Sequence, residues 1–134
     1  MSIYENAAQL ETCADRLFRR VQEERPAALK RVLGQRMLIR LACTSPSTVI
    51  WLDGRRRPLQ LAFGEARHRP HLDIALPAGT LHRILTGDLS LQKAFASGQV
   101  QVAGALWRLP ALADLFNQAQ TLYPAVLREM DLMA

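Results

Sequence analysis

Cysteine is nearly absent from this chain. Two thiols among 134 residues, Cys13 and Cys43, do not make a disulfide framework. No apolar run reaches the ~18 residues that a membrane-spanning helix needs. The first residues, Met1-Ser2-Ile3-Tyr4-Glu5-Asn6, lack the basic-then-apolar layout of a signal peptide. Lysine is scarce too: only Lys30 and Lys93 stand beside fifteen arginines. No internal repeat and no low-complexity tract occurs. These absences lead us to expect a soluble protein of a reducing, cytoplasmic compartment. What is present, 49% hydrophobic and 22% charged residues, excludes disorder as the main state and is enough for one core. One domain is expected over residues 1–134.

The charge is uneven. Residues 1–70 hold 13 basic and 7 acidic groups, a net of +6, whereas residues 71–134 hold 4 and 5, a net of −1. The densest run is Arg55-Arg56-Arg57, just after Asp53-Gly54. Such a run is either an anion patch for phosphate, headgroup or nucleic acid, or a solvated turn that keeps a sheet edge soluble.

Periodicity divides the chain into elements. Ser2-x-x-Glu5 has the form of a capping box. Leu10, Ala14, Leu17, Phe18 and Val21 follow at helical spacing, which predicts a helix over about 5–24. Pro26 ends it or opens a short helix over Ala27–Val32 that Gly34 stops. Then a two-residue period takes over. Met37, Ile39, Leu41 and Cys43 alternate along a first strand. Thr48-Val49-Ile50-Trp51-Leu52 is apolar on both faces, as in a central strand. Leu59, Leu61 and Phe63 mark a third strand, and Leu72, Ile74 and Leu76 a fourth. Short connections between them predict a four-strand meander. Thr80 to Leu85 reads as a short helix closed by Gly87, and Ser90 caps another that carries Leu91, Ala94 and Phe95 up to Gly98. Gln99–Ala103 is a late fifth strand, free to pair away from its sequence neighbour, for example parallel to an early strand. A last helix starts near Leu106, with Pro110 in its first turn. Tyr123-Pro124 ends it or opens a final short piece. The order is α+β. It comprises an N-terminal helical segment 1–33, a sheet with two inserted short helices over 34–104, and a C-terminal helical lid over 105–134.

Catalytic constellations are missing. His68-x-x-His71 with Asp73 is a weak metal pattern, because the pair falls in a loop. Cys13 and Cys43 occupy core positions and read as packed thiols. There is no nucleophile elbow, no phosphate-binding loop and no dinucleotide fingerprint. The expectation is a non-catalytic binding module with no cofactor and no metal.

One segment carries a resemblance. Thr86-Gly87-Asp88-Leu89-Ser90-Leu91-Gln92-Lys93-Ala94-Phe95-Ala96-Ser97-Gly98-Gln99-Val100-Gln101-Val102-Ala103-Gly104 is similar to the signature of the sterol carrier protein-2 (SCP-2) family. Trp51-Leu52-Asp53-Gly54 and His71–Leu76 resemble that family's second and fourth strands. The acid usual after the last glycine is replaced here by Ala105. The resemblance implies a five-stranded mixed sheet covered by helices, with an apolar tunnel between them for lipids, sterols or acyl chains. Its small stand-alone bacterial members assist ubiquinone synthesis. The C-terminus Asp131-Leu132-Met133-Ala134 is not a peroxisomal address, which suits such a bacterial member.

The lining expected for such a tunnel is Met37, Ile39, Leu41, Trp51, Leu61, Phe63, Leu81, Leu85, Phe95, Val100, Val102, Leu109, Leu112 and Phe116. Trp51 and Phe116 are the two most expected to touch a ligand. Trp107, beside Arg108, sits at the tunnel mouth or a membrane surface in this reading. The first function expected is binding of a lipid or other hydrophobic small molecule for a membrane-linked pathway. The second is a structural module that dimerises, since both faces of the Val49–Leu52 strand ask for cover. The partners expected besides the ligand are a second copy and a transient membrane or enzyme contact. Nucleic acid is not expected, because aromatic interleaving and a docking motif are missing.

Overall fold

The computed structural model describes residues 3–132. Helix α1 spans Ala7–Glu24 and buries Leu10, Cys13, Ala14, Leu17, Phe18 and Val21 along one face. Its cap lies four residues later than the capping-box pattern suggests. Asn6 Oδ1 accepts from the Gln9 amide at 2.9 Å, and Gln9 Oε1 accepts from the Glu5 amide at 2.9 Å. Asn6-x-x-Gln9 thus does the work assigned to Ser2-x-x-Glu5; Ser2 lies outside the described residues. Pro26 forces Arg25 out of helical geometry, to φ −135° and ψ 55°, and α1 stops there. A 3-10 turn over Pro26–Leu29 leads into α2, Lys30–Gly34.

The strands are β1 Leu38–Thr44, β2 Thr48–Asp53, β3 Gln60–Phe63, β4 Leu72–Pro77 and β5 Gln101–Gly104. They form one mixed sheet in the order β3-β2-β1-β4-β5. The predicted α+β class, with five strands and covering helices, holds. The four-strand meander does not. Only β1, β2 and β3 run as a meander, and β4 pairs parallel to β1 on its far side, Leu41 opposite Ile74. Direction explains the break. β3 and β4 both run with β1, so the chain must return the length of the sheet before β4 begins. Residues 64–71 make that return. The second correction concerns β5, which pairs antiparallel with β4, Ile74 opposite Val102. Helices α3 (Ala78–Thr86) and α4 (Leu91–Ala96) lead the chain away and back to the end where β4 finished. The nearest free edge there is β4 itself. Gly87 closes α3 at φ 90°, and Ser90 Oγ caps α4 by accepting from the Lys93 amide at 3.1 Å, both as expected.

A 3-10 turn at Leu106–Arg108 precedes α5 (Leu109–Ala119), and α6 is Tyr123–Glu129. Leu109, Ala111, Leu112, Ala113, Leu115, Phe116 and Ala119 of α5 are all buried, as befits a helix enclosed on most sides. It packs among α1, α2, α3 and α4. The helices cover the sheet face that carries Ile39, Leu41, Ile50, Leu52, Leu72 and Ile74.

The other face bears the row Ala62, Trp51, Arg40, Asp73, Ala103. The returning segment 64–71 covers its middle. Trp51 Nε1 donates to the Gly64 carbonyl at 2.8 Å, the His68 ring meets the indole edge-on at 5.9 Å, and Arg40 bridges Glu65 and Asp73. Trp51 is therefore 3% exposed without any second copy. The need for cover that suggested a dimer is met from within the chain.

Gln22 of α1 ties the start of β3 to the helix layer. Its amide donates to the Leu59 carbonyl at 2.9 Å and accepts from the Leu59 amide at 2.8 Å. Leu59 is buried, so its backbone has no solvent to fall back on. Gln22→Ala is expected to cost about 1–3 kcal/mol of unfolding free energy in a urea titration. A loss under about 0.5 kcal/mol, as for a plain surface change, would show that the clamp is dispensable.

Candidate functional site

The helix layer and the sheet do not close completely. A void remains between α1, the inner sheet face, α3 and α5. Tyr4, Leu10, Cys13, Ala14, Leu17, Phe18, Leu41, Ile50, Leu81, Leu85 and Phe116 line it. Its free volume is about 10 Å³. That is room for about one water-sized sphere, far below the ~300–1,000 Å³ of a small-molecule pocket. An open tunnel is thus not seen in this structure. Open grooves lie on the surface among the described residues, such as one of about 620 Å³ crossed by the Arg31–Asp114 ion pair.

Of the residues expected to line a tunnel, Leu41, Leu81, Leu85 and Phe116 meet at this void. Met37, Ile39, Val100, Leu109 and Leu112 are buried in the same core away from it. Leu61 and Val102 are half-buried on the outer strands. Phe63 and Phe95 are exposed at the margin. Trp51 lies across the sheet, on the opposite face. The sequence reading left out α1, although its apolar stripe was plain. Leu10, Cys13, Ala14, Leu17 and Phe18 supply nearly half the wall, and the Phe18 and Phe116 rings approach to 6.4 Å.

Two wall residues carry polar atoms, Tyr4 and Cys13. Tyr4 shares a short hydrogen bond with the Tyr123 hydroxyl, which in turn shares one with His82 Nδ1 at 2.5 Å. Tyr4 also stands edge-on to the His82 ring at 6.3 Å. Burial pushes both phenols well above the ordinary tyrosine range and the Cys13 thiol up to about 11. Desolvation pulls His82 below the ordinary histidine value, against the opposing pull of Asp88. All four groups are neutral near pH 7. They can exchange hydrogen bonds at the edge of an apolar wall, and they are poor nucleophiles or bases. The other histidines have structural uses. His71 Nδ1 accepts from the Leu38 amide at 2.9 Å, and His68 packs on Trp51. Among the described residues no group of three or more His, Cys, Asp or Glu is placed to hold a metal ion. Cys43, also buried, is pushed up to about 12.

The histidines give the fold a pH dependence. His71 and His82 both have folded-state pKa values below the ordinary value, each chiefly through desolvation. The unfolded chain therefore binds more protons in the window just below about 6.5. Stability is full above that window and is lost as the pH falls through it. The urea midpoint is expected to be lower at pH 5.0 than at pH 7.5. His82→Gln should narrow that gap; an unchanged gap would remove His82 from the account.

Comparison with known proteins gives a family and a fold. The model of the SCP-2 sterol transfer family matches residues 14–117. No curated protein matches the chain. Among solved structures, a conserved hypothetical protein from Thermus thermophilus, described as possibly a sterol carrier protein, superposes with TM-score 0.63 at 21% identity, covering 87% of each chain. The ubiquinone synthesis protein UbiJ-SCP2 gives TM-score 0.62 at 18% identity, covering 88% of this chain and 98% of that one. Palmitated SCP2L2 from Aedes aegypti gives 0.60 at 19% identity, covering 79% and 92%. Among the described residues no helix is long and apolar enough to cross a membrane.

Proposed function

Because the chain belongs to the SCP-2 sterol transfer family, we propose that it binds a hydrophobic ligand without catalysis, in the space between α1, α5 and the inner sheet face. The ligand class is a lipid, a sterol-like molecule, a fatty acyl chain or a polyprenyl chain. Its role is that of a carrier or accessory in a membrane-linked pathway such as ubiquinone synthesis. One observation supports this reading above others: the void between α1, α5 and the inner sheet face has a wall of aliphatic and aromatic side chains with one neutral hydrogen-bonding corner at Tyr4. The structural relatives include a ubiquinone synthesis protein and a palmitated protein.

The volume sets the mechanism. An alkyl chain enters only if α1 or α5 moves off the sheet. About a dozen buried methylenes at ~0.8 kcal/mol each give roughly 10 kcal/mol gross. The cost of parting the helices and ordering the ligand subtracts several kcal/mol. Micromolar affinity remains, with little selectivity for chain length. The test is extraction of the purified protein under denaturing conditions, with mass spectrometry of the extract, followed by titration with a fluorescent fatty acid. Saturable one-to-one binding is expected. No extractable lipid and no saturable signal would overturn the carrier reading. The tight closure of the void favours the second reading, an accessory module without ligand. A concentration-dependent dimer in sedimentation, with no ligand signal, would support it.

A further inference from the structure

Pairing within the sheet brings four chain segments to one end of the molecule. Leu38 lies opposite Asp53, Ile39 beside Leu72, and Leu72 opposite Gly104. The start of β1, the end of β2, the start of β4 and the end of β5 therefore share that end. Each is flanked by cationic or apolar residues in the adjoining turn. Arg36 precedes β1, Arg55-Arg56-Arg57 follow β2, Arg69 precedes β4, and Leu106-Trp107-Arg108 follow β5. Trp107 is 68% exposed and Leu106 47%, the two most exposed large apolar side chains described. The Arg108 guanidinium lies 4.6 Å from the indole centroid and donates to the Gln35 carbonyl at 2.9 Å, which fixes the turn. Two acids lie in the same segments: Arg55 holds Asp53 through three hydrogen bonds of 2.8–3.0 Å, and Arg40 pairs with Asp73, the second residue of β4. Arg36, Arg56, Arg57, Arg69 and Arg108 make no ion pair among the described residues.

We propose that this end of the sheet is a docking surface for an anionic lipid membrane, with Trp107 and Leu106 entering the headgroup layer and the unpaired arginines meeting lipid phosphates. Charge complementarity selects the sign of the surface. The apolar pair selects lipid over a soluble polyanion. An indole with one wet edge favours the membrane interface, and guanidinium groups pair well with phosphate. A nucleic-acid groove would instead offer a row of stacking rings along a cationic track, and a single exposed indole beside a leucine is not such a row. The surface stands apart from the interior void, so the proposal holds whether or not the void takes a ligand.

The test uses the full chain with vesicles of phosphatidylcholine alone or mixed with phosphatidylglycerol. Co-sedimentation is expected with the anionic vesicles and not with the neutral ones, and it should weaken as salt rises. Trp107 emission is expected to shift to the blue and to be quenched by brominated acyl chains. Trp51, buried on the covered face, supplies the unshifted background, and Trp107→Ala should abolish the shift. The double variant Arg56→Glu/Arg57→Glu should weaken binding by at least about 25-fold, since each cation lost near such a surface is worth about fivefold. Unchanged circular dichroism in both variants keeps the result interpretable. Equal binding to both vesicle types, absence of binding, or binding unaffected by either variant would overturn the proposal. So would displacement of the protein onto short duplex DNA with no quenching by brominated lipid.

Discussion

Phe116→Ala is expected to lower the unfolding free energy by about 3–5 kcal/mol while increasing the protein's capacity for an apolar guest. Phe116 is 1% exposed and lines the void from the α5 side, with the Phe18 ring against it. Truncation removes a ring's worth of contacts and enlarges a space of about 10 Å³ that the wild-type side chains nearly fill. Apart from the Cys13 thiol and Tyr4, whose hydroxyl is engaged by Tyr123, the surrounding residues are aliphatic or aromatic, so the enlarged space offers too few polar partners to hold water and stays receptive to hydrocarbon. Whole-domain stabilities are ~5–15 kcal/mol, so the variant keeps a reduced margin. Thermal unfolding with and without a fatty acyl probe separates the two effects. At a probe concentration of about 100 times Kd, linkage restores about 2.7 kcal/mol. The wild-type protein must first part its helices, so the same probe should raise its Tm less. Equal shifts in the two proteins would show that the void is not the binding volume. Phe116→Leu, which removes less volume, serves if the alanine variant does not fold.

The sequence was most legible where one residue decides a local geometry. Gly87 at the end of α3 and Ser90 at the start of α4 act where their chemistry predicts. The stripe from Leu10 to Val21 marks the buried face of α1. Strand partners were less legible, because a two-residue period reports which face a residue takes and not its neighbour. Leu72, Ile74 and Leu76 alternate equally well beside β3 or beside β1, and the direction of β3 decides between them. Trp51 shows the same gap. Apolar residues on both faces of β2 correctly marked a strand covered on both sides. The cover on the outer face is the polar segment 64–71, which carries no hydrophobic period to reveal it. The Tyr4–Tyr123–His82 chain was invisible for another reason. Tyr4 and Tyr123 are 119 positions apart, and neither lies in a motif. Finding such a pair takes the tertiary fold.

Gly104→Ala should be the most damaging change at a glycine, because two penalties coincide there. Gly104 has φ +107°, a conformation that L side chains rarely adopt. An added Cβ would also stand 2.3 Å from the His71 carbonyl oxygen and 3.1 Å from its carbon. That oxygen cannot retreat, because it accepts from the Ala105 amide at 2.8 Å, and the His71 amide is bonded in turn to the Leu38 carbonyl. Backbone strain and steric overlap together cost roughly 2–6 kcal/mol. The damage should begin at β5, an edge strand of four residues. Hydrogen exchange would then show loss of protection at Ala103 and Ala105, whose pairs with Asp73 and His71 carry the hydrogen bonds of this edge, before the central β1. Gly34→Ala supplies the opposite sign. Gly34 closes α2, has no atom within 4 Å of its added Cβ and no positive φ, so alanine should stabilise by about 0.5–1 kcal/mol. Urea titrations of the two variants check both. A Gly104→Ala midpoint close to wild type would mean that the edge of the sheet can shift away from His71 at little cost, and the close approach would then not explain the glycine.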